Sequence, residues 1–210
     1  MSRRLPVYLL IDTTGSMKGE PIESVRKGIE TMLNTLRQDP YALETVHISI
    51  ITYDRDVNQL LPLTPIDELQ IPEITTVDSG PTRMGAALEM LLEKVDKEVN
   101  KGSHVQRGDW KPLLFLMTDG QPTDKMLCNH LIPKVKSKFP TIVCCAIGPK
   151  AKTEYLKHLT DNVYQIDDFE SNILINYFRW TSGFPGEFGP IPPQDDFILP
   201  PPPEGVNIVI

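Results

Sequence analysis

The chain has 210 residues, 40% of them apolar and 23% charged, with a formal net charge of −7. That length suits one medium α/β domain with a real core. The acidic balance argues against nonspecific nucleic-acid binding, which needs a basic face, and no apolar run is long enough to span a membrane. Of the 20 prolines, eight follow Gly183, so the body is ordinary and the end is not. Three cysteines, Cys128, Cys144 and Cys145, form neither a disulfide framework nor a zinc-type pattern. They read as reduced, buried thiols of a cytoplasmic protein. The basic start, Met1-Ser2-Arg3-Arg4, leads into an apolar run broken by Pro6 and ended by Asp12, which is a strand rather than a signal peptide.

Leu5–Ile11 is the first expected strand. Glu20–Arg37 follows with helical spacing, placing Ile22, Val25, Ile29, Met32, Leu33 and Leu36 on one face. Pro21 suits a first helical turn, and Asp39-Pro40 stops the helix. Thr45–Tyr53 is a strand, Asp54-Arg55-Asp56 a turn, and Val57–Leu63 an edge strand that tolerates Pro62. After an irregular stretch, a helix begins near Met84, with Met84, Ala87, Leu88, Leu91, Leu92 and Val95 on its apolar face. Leu113–Thr118 is a second strongly apolar strand that ends in an acid. Thr123–Phe139 is helical at least in part, with Pro133 near a start or a kink. Thr141–Ile147 and Val163–Ile166 are strands, Thr153–Leu159 is a short helix and Ser171–Trp180 a last one. This order describes an α/β fold, doubly wound. Its central sheet is mostly parallel with one antiparallel edge strand, and helices cover both faces.

Two apolar strands ending in Asp are the central neighbours at the switch point of such a sheet, where ligands bind. Three loops converge there. The first supplies Asp12, Thr14 and Ser16, the second Thr82, the third Asp119. All five donors are oxygens, which suits a hard divalent cation, Mg²⁺ first, with Mn²⁺ and Ca²⁺ as alternatives. These oxygens and held waters leave one position open for a carboxylate from a partner protein. The expected role is therefore a bridge and not a catalyst. The runner-up is an Mg²⁺-dependent phosphoryl-transfer hydrolase using Asp12 and Asp119. It lacks the second acid that dehalogenase-type phosphatases carry two residues after the first, because Thr14 stands there. No phosphate-binding glycine loop, dinucleotide fingerprint or nucleophile elbow occurs either. A third reading is a scaffold in which only the C-terminal tail binds. His47, His104, His130 and His158 are scattered, and Asp54, Asp56 and Asp167-Asp168 read as turn-formers and caps.

The spaced pattern Asp12-Thr13-Thr14-Gly15-Ser16, then Thr82 in Gly80-Pro81-Thr82-Arg83-Met84-Gly85, then Asp119 in Thr118-Asp119-Gly120 resembles the von Willebrand factor A (VWA) domain family. That family's metal-ion-dependent adhesion site (MIDAS) has the form D-x-S-x-S…T…D. Thr14 departs from it but keeps the hydroxyl. The resemblance runs from about Arg4 to Trp180. Arg3–Asp12, Gly19–Val25 and Gln38–Ala42 are most similar to the TerY-like VWA proteins of bacterial tellurium-resistance operons. This implies a VWA (Rossmann-like) domain over residues 1–183. It also implies a cytoplasmic, noncatalytic adaptor in a stress-response or defence system, with a kinase and a phosphatase as partners. Thr14, Ser16 and Thr82 would touch the metal, and Asp12 and Asp119 would hold it through water.

Lys18, Arg83, Met84, Gln121 and Pro122 flank the five donors and are candidate partner contacts. Residues 184–210 form a proline-rich C-terminal tail. Its Pro200–Pro203 run favours polyproline II, but Val206-Asn207-Ile208-Val209-Ile210 is too apolar for a solvated linker. The tail is expected to dock on the body or on a partner by adding its last segment to a sheet edge.

Overall fold

The computed structural model describes residues 3–102, 107–166 and 201–209. Within them lies one seven-stranded sheet. The strands are β1 (Leu5–Asp12), β2 (Val46–Tyr53), β3 (Val57–Pro65), β4 (Leu113–Thr118), β5 (Thr141–Ile147), β6 (Val163–Ile166) and β7 (Asn207–Ile208). The helices are α1 (Glu20–Leu36), α2 (Pro40–Thr45), α3 (Met84–Glu98) and α4 (Lys125–Lys138). The spatial order is β3-β2-β1-β4-β5-β6-β7. Strands β2, β1, β4, β5 and β6 run parallel, and β3 runs antiparallel at one edge.

Every residue of β1, β4 and β5 is buried. A parallel strand covered on both faces must be apolar throughout, which accounts for these uninterrupted runs. Strand alternation divides the core in two. Leu5, Val7, Leu9 and Ile11 pack with the apolar face of α1. Tyr8 and Leu10 face the other way, with Ala87, Leu88 and Leu91 of α3 and Cys128 and Val135 of α4. Cys144 and Cys145 are split between these layers in the same way, and with Cys128 they are buried thiols outside any disulfide.

Helix α1 starts after Gly19, whose φ of 87° is a left-handed value that glycine adopts without strain. Pro21 lies in its first turn, and Glu20 and Glu23 complement the positive helix end there. Asp39-Pro40 does more than stop α1. The Asp39 carboxylate accepts from the amides of Tyr41 and Ala42, and Pro40 occupies the first turn of the unexpected helix α2. Pro62 lies in edge strand β3, where the register shifts and the lost N–H is tolerated. Pro133 lies inside α4, so the helix runs past it without stopping. In place of the short helix expected over Thr153–Leu159 there is one 3-10 turn, Leu156–His158.

The second sheet edge is also antiparallel. β7 pairs with β6 through Tyr164↔Ile208 and Gln165↔Asn207, and the Val209 amide donates to the Val163 carbonyl at 2.9 Å. Val206 is buried against the α1 layer, and Val209 packs on the α3/α4 layer. The last segment thus adds to a sheet edge. The expected Ser171–Trp180 helix, the Asp167-Asp168 cap and residues 184–200 lie outside the described residues. Removing residues 204–210 should cost about 1.5–3 kcal/mol through the burial of Val206 alone. It should also bare the β6 edge. The expected outcome is a lower urea midpoint together with concentration-dependent association in light scattering.

Candidate metal centre

Strands β1 and β4 are parallel neighbours, with Val7 opposite Leu113 and Ile11 opposite Met117. The chain winds outward from β1 to β2 and β3, then crosses back to β4, so the switch point falls between β1 and β4. Asp12 ends β1, and Asp119 follows β4 directly.

The Asp12 side chain is fully buried. Its Oδ1 accepts from the Thr14 amide at 2.9 Å and the Thr14 hydroxyl at 2.6 Å. Its Oδ2 accepts from the Thr118 hydroxyl at 2.5 Å. Burial pushes the Asp12 carboxyl up to about 6, opposed by hydrogen bonds from Thr118 and Thr14 and reinforced by the charge of Asp119. The Thr14 hydroxyl lies 3.2 Å from that of Ser16, and Ser16 Oγ donates to Asp119 Oδ1 at 2.9 Å. Asp12, Thr14, Ser16 and Asp119 therefore form one continuous chain of oxygens. It climbs from a buried floor at Asp12 and Thr14 to an exposed lip at Ser16.

Thr82 reaches the same place from the loop before α3. Its carbonyl accepts from the Thr123 amide at 2.9 Å and the Thr123 hydroxyl at 3.1 Å. Its own hydroxyl faces Gly120, where a Cβ would stand 3.8 Å from Thr82 Oγ1. So the structure brings all five candidate residues together. Of the flanking candidates, Lys18 and Arg83 are exposed and Gln121 is half-buried. Met84 and Pro122 are buried and unavailable to a partner. Met84 belongs to the core face of α3, which begins one residue after Arg83.

Three supporting residues were not singled out from the sequence as parts of this site. Thr118 holds Asp12 and also accepts from the Gly120 amide at 3.1 Å, shaping the turn that carries Asp119. Asp54 forms its turn by accepting from the Asp56 amide at 3.0 Å, and it also accepts from the Thr13 hydroxyl at 2.7 Å. Its carbonyl takes the Arg83 amide at 3.2 Å, which ties the Thr82 loop to the β1 loop. The Asp124 carboxylate accepts from the amides of Gly85 and Ala86, both at 2.9 Å, capping α3 just behind Thr82. Acids in turns look alike in a sequence, and only long-range contacts separate these roles. Gly15 is required by space, since a Cβ there would fall 2.3 Å from the Asp78 carbonyl oxygen. The Tyr53 hydroxyl is buried without a hydrogen-bond partner among the described residues, and burial followed by the charge of Asp12 pushes it well above its ordinary range.

The donor set suits a hard cation. Two carboxylates and three hydroxyls contain no sulfur or imidazole. Among the described residues, no three His, Cys, Asp or Glu side chains group into another candidate site. The Thr14 and Ser16 hydroxyls are already linked to the two carboxylates, so little rearrangement is needed for the oxygens to converge.

Together these features define a doubly wound α/β domain with an oxygen-lined pocket at its switch point. The model of the von Willebrand factor type A domain matches residues 7–177, and the chain belongs to that family. A search of curated proteins finds no match. Among solved structures, the von Willebrand factor type A protein from Catenulispora acidiphila superposes with a TM-score of 0.65 at 18% identity, over 88% of this chain and 43% of that one. The ArnB paralog VWA2 from Sulfolobus acidocaldarius gives 0.57 at 18%, over 84% and 45%. Proximal thread matrix protein 1 from the mussel byssus, solved with a zinc-occupied MIDAS motif, gives 0.59 at 16%, over 86% and 46%. These likenesses concern the fold, and this chain spans less than half the length of each of those chains. No helix among the described residues is long and apolar enough to cross a membrane.

The dependence of the site on Thr118 can be tested directly. Thr118→Val keeps the shape but leaves a buried carboxylate oxygen and the Gly120 amide short of a partner. The expected loss is about 1–3 kcal/mol, read as a lower denaturant midpoint with unchanged slope, and Thr118→Ser should recover most of it.

Proposed function

We propose that this VWA domain is a noncatalytic, metal-dependent protein-binding module. Asp12, Thr14, Ser16, Thr82 and Asp119 hold a divalent cation, Mg²⁺ in the first instance. When bound, the cation supplies an open coordination position for a carboxylate of a partner protein. The observation that carries this reading is the unbroken chain of oxygens from buried Asp12 through Thr14 and Ser16 to Asp119, ending at the surface. The zinc-occupied motif of the mussel protein supports a metal in this fold.

The chain's own residues prepare the pocket. Asp12 is fixed by three donors and cannot swing out. Ser16 and Thr82 stand at the lip, positioned by Asp119 and by the Thr123 contacts. The hydrolase alternative is disfavoured, because the position two residues after Asp12 carries Thr14, whose hydroxyl donates to Asp12 and cannot act as a carboxylic acid. The resemblance to TerY-like proteins supports a cytoplasmic role in a bacterial tellurium-resistance, stress-response or defence system, with an operon kinase and phosphatase as partners. Residues 184–210 serve as a proline-rich tail to this domain.

Calorimetric titration tests the site. The intact chain should bind Mg²⁺ or Mn²⁺ with one-to-one stoichiometry, and Asp12→Asn and Asp119→Asn should each weaken binding by at least about tenfold, since each deletes one of two charged donors. Absence of any Mg²⁺, Mn²⁺ or Ca²⁺ binding would overturn the reading. So would phosphoester hydrolysis that disappears in Asp12→Asn.

A further inference from the structure

We propose that the rim of the metal centre is a receptor for an acidic segment of the partner, gripping several carboxylates around the central one. Arg55 and Arg83 stand on one side, and Lys125, Lys150 and Lys152 on the other. The inference rests on the proposed function and adds the partner's chemistry.

Each of these cations is tied to the site by a short path. Arg83 follows Thr82. Arg55 follows Asp54, whose carboxylate holds Thr13. Arg83 Nη1 donates to the Arg55 carbonyl and Arg55 Nη2 to the Ser79 carbonyl, both at 3.3 Å. Each guanidinium has five N–H donors, and among the described residues most of them remain free for a carboxylate. An open depression of about 380 Å³ lies beside them, lined by Arg55, Asp56 and Thr76–Ser79. On the far side, the Lys152 amide donates to the Asp119 carbonyl at 3.4 Å, bringing the loop after β5 against the Asp119 turn. Lys150 and Lys152 are exposed there. Lys125 donates to Gln121, two residues from Asp119, at 2.9 Å.

None of these five cations has an ion-pair partner among the described residues. Elsewhere Arg4, Arg26, Lys97, Lys101 and Lys138 do. Lys18, at the same rim, is neutralised by Asp78. Opposing the five are exposed Asp56 and Glu154, Asp78 in its pair with Lys18, and Asp54 and Asp124, whose carboxylates are turned onto amides and a hydroxyl. In a chain of net charge −7, five cations outside any ion pair among the described residues gather around a carboxylate-binding position. Arginine pairs with carboxylate through two parallel hydrogen bonds, and lysine acts as a point charge. A segment with carboxylates on both sides of the bridging one satisfies both halves of the rim, and such complementarity governs encounter and specificity.

The test uses the full chain and fluorescein-labelled synthetic peptides, read by anisotropy in Mg²⁺ and in EDTA. One peptide alternates Asp and Glu. A second keeps one central Glu and has Asn and Gln elsewhere. A third has phosphoserine in place of the flanking acids. The expected result is that the acidic peptide binds best. Arg55→Gln with Arg83→Gln, and separately Lys150→Gln with Lys152→Gln, should each weaken it by about tenfold and flatten its salt dependence. Calorimetric Mg²⁺ binding and the unfolding midpoint should not change. Equal binding of the acidic peptide by parent and rim variants would overturn the inference. So would equal affinity for the single-Glu peptide, or tighter binding of the phosphoserine peptide. In each of those cases Mg²⁺-dependent binding would leave the metal reading standing. Binding that needs the rim but ignores both EDTA and Asp12→Asn would support the rim and sink the metal reading.

Discussion

A carboxylate with no solvent exposure at the end of the central strand is the constraint from which the site follows. Burying Asp12 is tolerable only if its oxygens are supplied with donors, since an unpaired buried charge costs several kcal/mol. Its three donors come from two places: its own loop, through the amide and hydroxyl of Thr14, and the neighbouring strand, through Thr118. The first pair forces the chain to fold back immediately after β1. The last fixes the end of β4 beside the end of β1. Asp119, one residue beyond Thr118, then has no freedom to be elsewhere.

The same device recurs around the pocket. Asp54 after β2 and Asp124 after β4 also direct their carboxylates at backbone amides or a hydroxyl and not at cations. Asp54 couples the β1 loop to the Thr82 loop, and Asp124 holds the start of α3 behind Thr82. Three loops that share no secondary structure thereby become one rigid surface on a sheet whose central strands are wholly buried. Rigid scaffolds with functional loops at one end are the usual arrangement for recognition. Here the stiffness comes from acids acting as struts. The Asp119 carboxylate likewise accepts from a hydroxyl, that of Ser16.

Much of this was legible in the residues. β1 and β4 could be read because a parallel strand buried on both faces leaves an unbroken apolar run, and the acid at the end of each run marks where burial stops. The Asp12, Thr14 and Ser16 spacing was local and therefore visible. Other features depend on distant partners. Asp39-Pro40 signals a helix stop and a helix start equally well, and only the amides of Tyr41 and Ala42 decide that both occur. Asp54 and Asp124 have the composition of ordinary turn and cap residues. Met84 looked equally suited to rim and core until the start of α3 turned it inward. The seat of Val206–Val209 on β6 is a pairing across about forty residues of chain, which alternation cannot locate.

The electrostatics of the pocket link the proposed cation to the proposed acidic ligand. Without a cation, Asp12 and Asp119 present two negative charges to an approaching carboxylate, and the Asp12 carboxyl is already raised by burial and by Asp119. A divalent ion held there, as proposed, would offset that pair and keep a coordination position turned toward solvent. The field at the lip is then set by the surrounding arginines and lysines. On the proposed reading the empty centre would repel acidic ligands, and the rim would attract them only once the centre is filled. In a chain whose net charge is −7, that order of events would confine attraction for acidic partners to one small area of the surface.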